Sequence, residues 1–121
     1  MTTNIEFADA FKKRTKKFAV DIIKFCRKSP KTREAGIINN QLIRCSTSVA
    51  SNYRAACRAR SGKEFYAKLC IVVEEADESV FWLEMIEATT RVSEDTTELI
   101  REGTEILSIV ATSRKTAGKK L

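Results

Sequence analysis

The stretch Gln41–Leu83, QLIRCSTSVASNYRAACRARSGKEFYAKLCIVVEEADESVFWL, holds two amphipathic segments that meet at one tight corner, Arg60-Ser61-Gly62-Lys63. In the first segment, Ile38, Leu42, Cys45, Val49, Asn52 and Ala56 advance by 4, 3, 4, 3 and 4 residues. In the second, Phe65, Leu69, Val72, Ala76, Ser79, Leu83 and Ile86 advance by 4, 3, 4, 3, 4 and 3. Such spacing keeps a narrow apolar seam on one side of an α-helix, as in bundles and coiled coils. Ser61-Gly62-Lys63-Glu64 has the form of a capping box, which predicts a helix start at Gly62 or Lys63. Two long helices joined by so short a corner must lie antiparallel.

Outward from this pair, Thr3-Asn4-Ile5-Glu6 is a second capping box. It opens a helix whose apolar side is Phe7, Phe11, Phe18, Ile22, Phe25 and Cys26. Pro30 disfavours the helical conformation at Ser29, which predicts a stop there. Ser93, followed by Glu94 and Asp95, reads as an N-cap with acids in the first turn. The helix after it has Leu99, Gly103, Ile106, Val110 and Ser113 as its seam, flanked by Ile100, Leu107 and Ile109. Gly103 costs a helix about 1 kcal/mol relative to Ala, so it marks either a close helix approach or simple tolerance. The expectation is one domain over residues 1–121, with helices at about 4–29, 33–59, 62–90 and 94–114 and a frayed basic tail at 115–121. The fold class is all-α, an antiparallel up-down-up-down four-helix bundle. Tyr53, Tyr66, Val73 and Val80 fall off the seams, and Phe81 and Trp82 flank Leu83. That excess of apolar surface predicts cover from a second copy, hence a homo-oligomer.

Charge divides the chain. Residues 1–63 hold 15 Lys/Arg against 4 Asp/Glu, and residues 64–121 hold 7 against 12. A basic half attracts the phosphates of nucleic acid, or else faces the acidic half within or between subunits. Lys12, Lys13, Arg14, Lys16, Lys17, Lys24, Arg27 and Lys28 of the first helix are candidates for phosphate contact. Arg54, Arg58, Arg60 and Lys63 gather at the corner and join them. No base-reading motif is present, so contact would follow the backbone or the shape of the nucleic acid.

Catalysis finds little support. The chain has no His, the commonest general base and metal ligand, so the E-x-x-H pairs of a di-iron bundle are excluded. Glu74, Glu75, Asp77 and Glu78 are expected to pair with basic residues rather than to hold Mg²⁺. Ser46, Ser48 and Ser51 have no base beside them in sequence. Cys26, Cys45, Cys57 and Cys70 contain no C-x-x-C pair and read as core thiols of a reducing compartment; no metal or cofactor is expected. Asn52 stands at a seam position, where a buried amide would fix register or oligomeric state. The opening MTTNIEFADAFKKR lacks the apolar run of a signal peptide and no stretch is apolar enough to span a membrane, so the expected location is the cytoplasm.

Several elements of the central stretch resemble the four-helix bundle proteins encoded in intervening sequences of bacterial 23S rRNA genes. They are Gln41-Leu42-x-Arg44, Ser48-Val49-x-x-Asn52, Arg58-x-x-Ser61-x-x-x-Phe65 and Glu75-Ala76-x-Glu78-x-x-x-Trp82-Leu83. The resemblance covers roughly residues 11–113. It implies a small bacterial bundle whose relatives tend to form ring-shaped homopentamers. The chain is also similar to the accessory variability protein of diversity-generating retroelements, which implies association with a reverse transcriptase and with nucleic acid. Residues 64–113 depart from a uniformly basic barrel, with 3 Lys/Arg against 12 Asp/Glu. The expected function is a non-enzymatic homo-oligomer that binds RNA or DNA backbone, as accessory to an RNA-processing or reverse-transcribing complex. The alternative is a protein-interaction scaffold with no nucleic-acid role.

Overall fold

A computed structural model describes residues 4–90 and 93–121, so Thr3 of the first capping box lies outside the described residues. Four α-helices follow in order: α1 Asn4–Cys26, α2 Arg33–Cys57, α3 Gly62–Thr89 and α4 Glu94–Lys119. α2 packs on α1 and α3, and α4 packs on α3 and, more sparingly, on α1. α1 and α3 stand at opposite corners and do not pack on each other. This is the antiparallel up-down-up-down bundle.

Local chemistry sets the ends of the helices. The Ser61 hydroxyl accepts the amide of Glu64 at 3.1 Å and caps α3. Thr32 caps α2 through the Ala35 amide, and Ser93 caps α4 through the Thr96 amide, both at 3.2 Å. Each such cap is worth about 1 kcal/mol. α1 stops at Cys26, a turn earlier than predicted. The chain tightens into i→i+3 bonds from Lys28 N to Phe25 O and from Ser29 N to Cys26 O before Pro30. At the other extreme, residues 115–119 are helix rather than tail. Ala117 is buried there, Gly118 lies against Tyr66, and this packing of α4 on α3 carries the helix onward.

The core follows the predicted seams closely. Leu42, Cys45, Val49, Leu69, Val72, Leu83, Ile106 and Val110 are fully buried, joined by Phe18 and Ile22 of α1. Gly103 sits at a close approach: a Cβ there would lie 3.1 Å from Val80 and 3.2 Å from Phe18. Asn52 departs from expectation. Tyr53, not Asn52, fills the α2 seam, with its ring edge-on to Phe11 at 4.8 Å. At 3.6 residues per turn the two positions flank the seam about equally, and the ring gains more by burial than the amide does. The Asn52 amide bonds Ser48 O at 3.0 Å and Ser48 Oγ at 2.9 Å within its own helix, so it makes no bond across helices. Much of the apolar excess on α3 is also covered within the subunit. Tyr66, Val73 and Trp82 pack partly buried against the core, while Ile71 and Phe81 stay exposed.

Candidate nucleic-acid interface

The bundle brings the helix ends together in two groups. One end gathers the start of α1, the α2–α3 corner and the close of α4. Among the described residues, the last three turns of each helix toward this end, with the corner and Lys120, carry twelve Lys/Arg against three acids, Glu6, Asp9 and Glu64. The other end carries eight against eight by the same measure. Arg54, Arg58 and Lys63 are exposed and have no ion pair among the described residues, and Arg60 lies 3.8 Å from Glu64 with its side chain 91% exposed. α4 adds Arg114, Lys115, Lys119 and Lys120 to the same end. The sequence places Lys115, Lys119 and Lys120 in a frayed tail and Arg114 at the end of the helix before it, and none of the four is in the candidate site. Only the continuation of α4 along α3 fixes their position.

The first helix behaves differently from the corner. Four of its eight candidate residues are tied to acids of the same subunit. Lys12 pairs with Asp9 at 3.2 Å, Lys17 with Asp21 at 2.6 Å, and Lys28 approaches Asp95 at 3.9 Å. Arg14 grips two carboxylates of α4, Glu102 at 2.7 Å and Glu105 at 2.9 Å, and its pKa is raised chiefly by the bond to Glu102. The other four, Lys13, Lys16 and Lys24 on the outward side of α1 and Arg27 in the turn after it, are exposed and have no ion pair among the described residues. Lys12 and Lys13 lie toward the basic end, whereas the residues from Lys16 to Lys28 climb toward the balanced one. The structure therefore divides the predicted basic surface into an end and a stripe.

The acidic cluster resolves into structure. Glu75 and Glu78 accept Arg44 Nη1 at 3.1 Å and Nη2 at 2.6 Å. Arg44 Nε also reaches Gln41 at 3.2 Å, and Trp82 Nε1 lies 3.4 Å from Glu78. The Arg44 guanidinium, and after it the Trp82 indole, hold Glu78 below the usual carboxylate range. Five residues of the recurring sequence elements thus form one staple between α2 and α3, and they serve the fold. Arg44 was not among the predicted site residues, although its place in the Gln41-Leu42-x-Arg44 element marked it. Glu74 and Asp77 remain exposed and without an ion pair among the described residues.

Reactive chemistry is sparse. Burial pushes the Cys26 thiol up to about 11 and raises Cys45 and Cys57, so these thiols stay protonated at neutral pH. Cys45 accepts a weak bond from the Ser79 hydroxyl at 3.3 Å. Ser46 and Ser51 donate to carbonyls of their own helix. No group of three or more His, Cys, Asp or Glu converges among the described residues, and no helix is long and apolar enough to cross a membrane. A cavity of about 310 Å³ opens at the balanced end between Phe25, Pro30, Ile38 and Ile86, but its hydroxyls at Thr32 and Ser93 are already committed to capping.

A solved structure from Bacteroides thetaiotaomicron VPI-5482, a protein of unknown function from the S23 ribosomal protein family, is 27% identical with a TM-score of 0.80. The match covers 89% of this chain and 97% of that one. No curated protein matches the chain. The family profile described as 23S rRNA-intervening sequence protein matches residues 10–112. With that match spanning most of its length, the chain belongs to the 23S rRNA-intervening sequence protein family.

Proposed function

We propose that this protein is a non-enzymatic, self-associating bundle that binds the sugar–phosphate backbone of RNA or DNA through its basic end. One observation carries the reading: twelve Lys/Arg against three acids at one end, with the balance restored at the other. Arg54, Arg58 and Lys63 stand free on the corner, and the α4 residues Arg114, Lys115, Lys119 and Lys120 flank them. Neutralising phosphates at such a surface releases counterions, so binding falls steeply with salt and shows little sequence preference. The family's link to 23S rRNA intervening sequences supports RNA as the first ligand to try. In this reading the protein works in the cytoplasm as a homopentameric ring, accessory to an RNA-processing or reverse-transcribing complex.

The test is fluorescence anisotropy with a labelled single-stranded RNA of mixed sequence. A surface engaging four phosphates gives a log–log salt slope of about −3 for a single strand. Absence of binding at low salt, or binding indifferent to salt, overturns the proposal.

A further inference from the structure

The unpaired basic residues of α1, Lys13, Lys16 and Lys24, face away from the bundle. So do the unpaired acids of α3, at the opposite corner. The two sets cannot meet within one subunit. Their order along the helices is matched. Lys13, Lys16, Val20 and Lys24 follow at steps of 3, 4 and 4 residues, and Glu74, Asp77, Phe81 and Glu84 follow at 3, 4 and 3. Both patterns read charge, charge, apolar, charge, with opposite signs. Val20 is 39% exposed and Phe81 is 49% exposed, so each stripe has an apolar centre open to solvent. α1 and α3 both start at the basic end and run in the same direction. A second copy set side by side in the same orientation therefore brings the two patterns together with the same polarity.

We propose that the outer stripe of α1 docks on the outer stripe of α3 in a neighbouring copy, head to tail. Lys13 and Lys16 meet Glu74 and Asp77, Val20 meets Phe81, and Lys24 meets Glu84. This specifies the self-association within the proposed function and, Lys13 apart, leaves the basic end uncovered. Because the two surfaces are different and lie on opposite sides of the molecule, the contact is heterologous and repeats from copy to copy. Opposite charges set the register while the apolar centre is desolvated, a division of labour familiar at interfaces.

Charge swapping tests the contact, with mass read by light scattering on nucleic-acid-free protein at about 100 µM and low salt. Wild type is expected to assemble. The triple variants K13E/K16E/K24E and E74K/D77K/E84K are each expected to run as monomers. The chain carrying all the reversals is expected to reassemble, since it restores opposite signs across every contact. A mixture of the two triple variants is expected to form alternating hetero-assemblies, which an odd-numbered ring cannot close. A monomeric wild type, triple variants that still assemble, or failure of both restorations overturns the proposal. Should a triple variant lose helicity by circular dichroism, Phe81→Ser takes its place, with at least about a tenfold weakening of assembly expected and an unchanged spectrum. An unaltered assembly constant overturns the proposal. RNA binding is measured separately on the same wild-type protein. A monomer that binds RNA defeats the self-association and this contact with it while the nucleic-acid reading stands, and an assembly that ignores RNA defeats the nucleic-acid reading alone.

Discussion

The two ends of the bundle are made from the same parts. Each holds two helix starts and two helix stops, so the partial charges of the helix dipoles cancel at both. Hydroxyl caps serve both, with Ser61 at one end and Thr32 and Ser93 at the other. Yet one end is strongly basic and the other neutral. The difference resides in surface side chains, exposed or partly buried, that lie outside the core. Capping and seam residues build a helix end, and the surface residues between them are left to set its electrostatic character.

The sharpest way to break this comparison is to reverse the charge of each end in turn. R54E/R58E/K63E is expected to weaken RNA binding at least about thirtyfold, near 2 kcal/mol, whereas R27E/K31E/R33E at the balanced end changes it by less than about threefold. Equal losses, read by anisotropy at matched salt, would erase the distinction between the ends. A smaller effect concerns the caps. Ser61→Ala at the basic end and Ser93→Ala at the balanced end should each cost about 1 kcal/mol in urea denaturation. A large inequality between them would show that the ends differ in build as well as in charge.

Two glycines refine the contrast further. Gly36, near the balanced end, has open space where a Cβ would go, so Gly36→Ala should stabilise the protein by somewhat under 1 kcal/mol through helix propensity. At the basic end, a Cβ on Gly118 would lie 3.1 Å from the Tyr66 ring, and Gly118→Ala should lose that gain. Thermal melts of both variants check the pair. The smallest effect lies between the ends. Glu78 has its pKa lowered by Arg44, so its contribution is present above the ordinary value of 4.5 and is lost as pH falls through the lowered folded value. Glu78→Gln should flatten the acid limb of the stability–pH curve by about 0.5 kcal/mol, as befits a half-exposed pair.

The seams of α2, α3 and α4 were legible because apolar side chains repeat at the helical period, and burial rewards that repeat wherever the chain is long enough. Asn52 and Tyr53 were exchanged because both flank the seam, and spacing cannot weigh a ring against an amide. The basic corner was legible because it is contiguous in sequence. Its α4 half was not, because it joins the corner only through the antiparallel return of α4. The Arg14 clasp was hidden for the same reason: Arg14 and Glu102 are 88 residues apart. Glu75 and Glu78 were expected to find basic partners, and Arg44 supplies one.

The sparse contact between α1 and α4, held in part by the half-exposed Arg14 clasp, bears on how the molecule opens. α2, α3 and α4 share the broader contacts and should exchange their amide hydrogens as one cooperative unit, with α1 swinging free at a lower cost. A neighbour seated on the outer side of α1 would hold that helix in place. Assembly would then slow hydrogen exchange in α1 first, and so act as the final step in its folding.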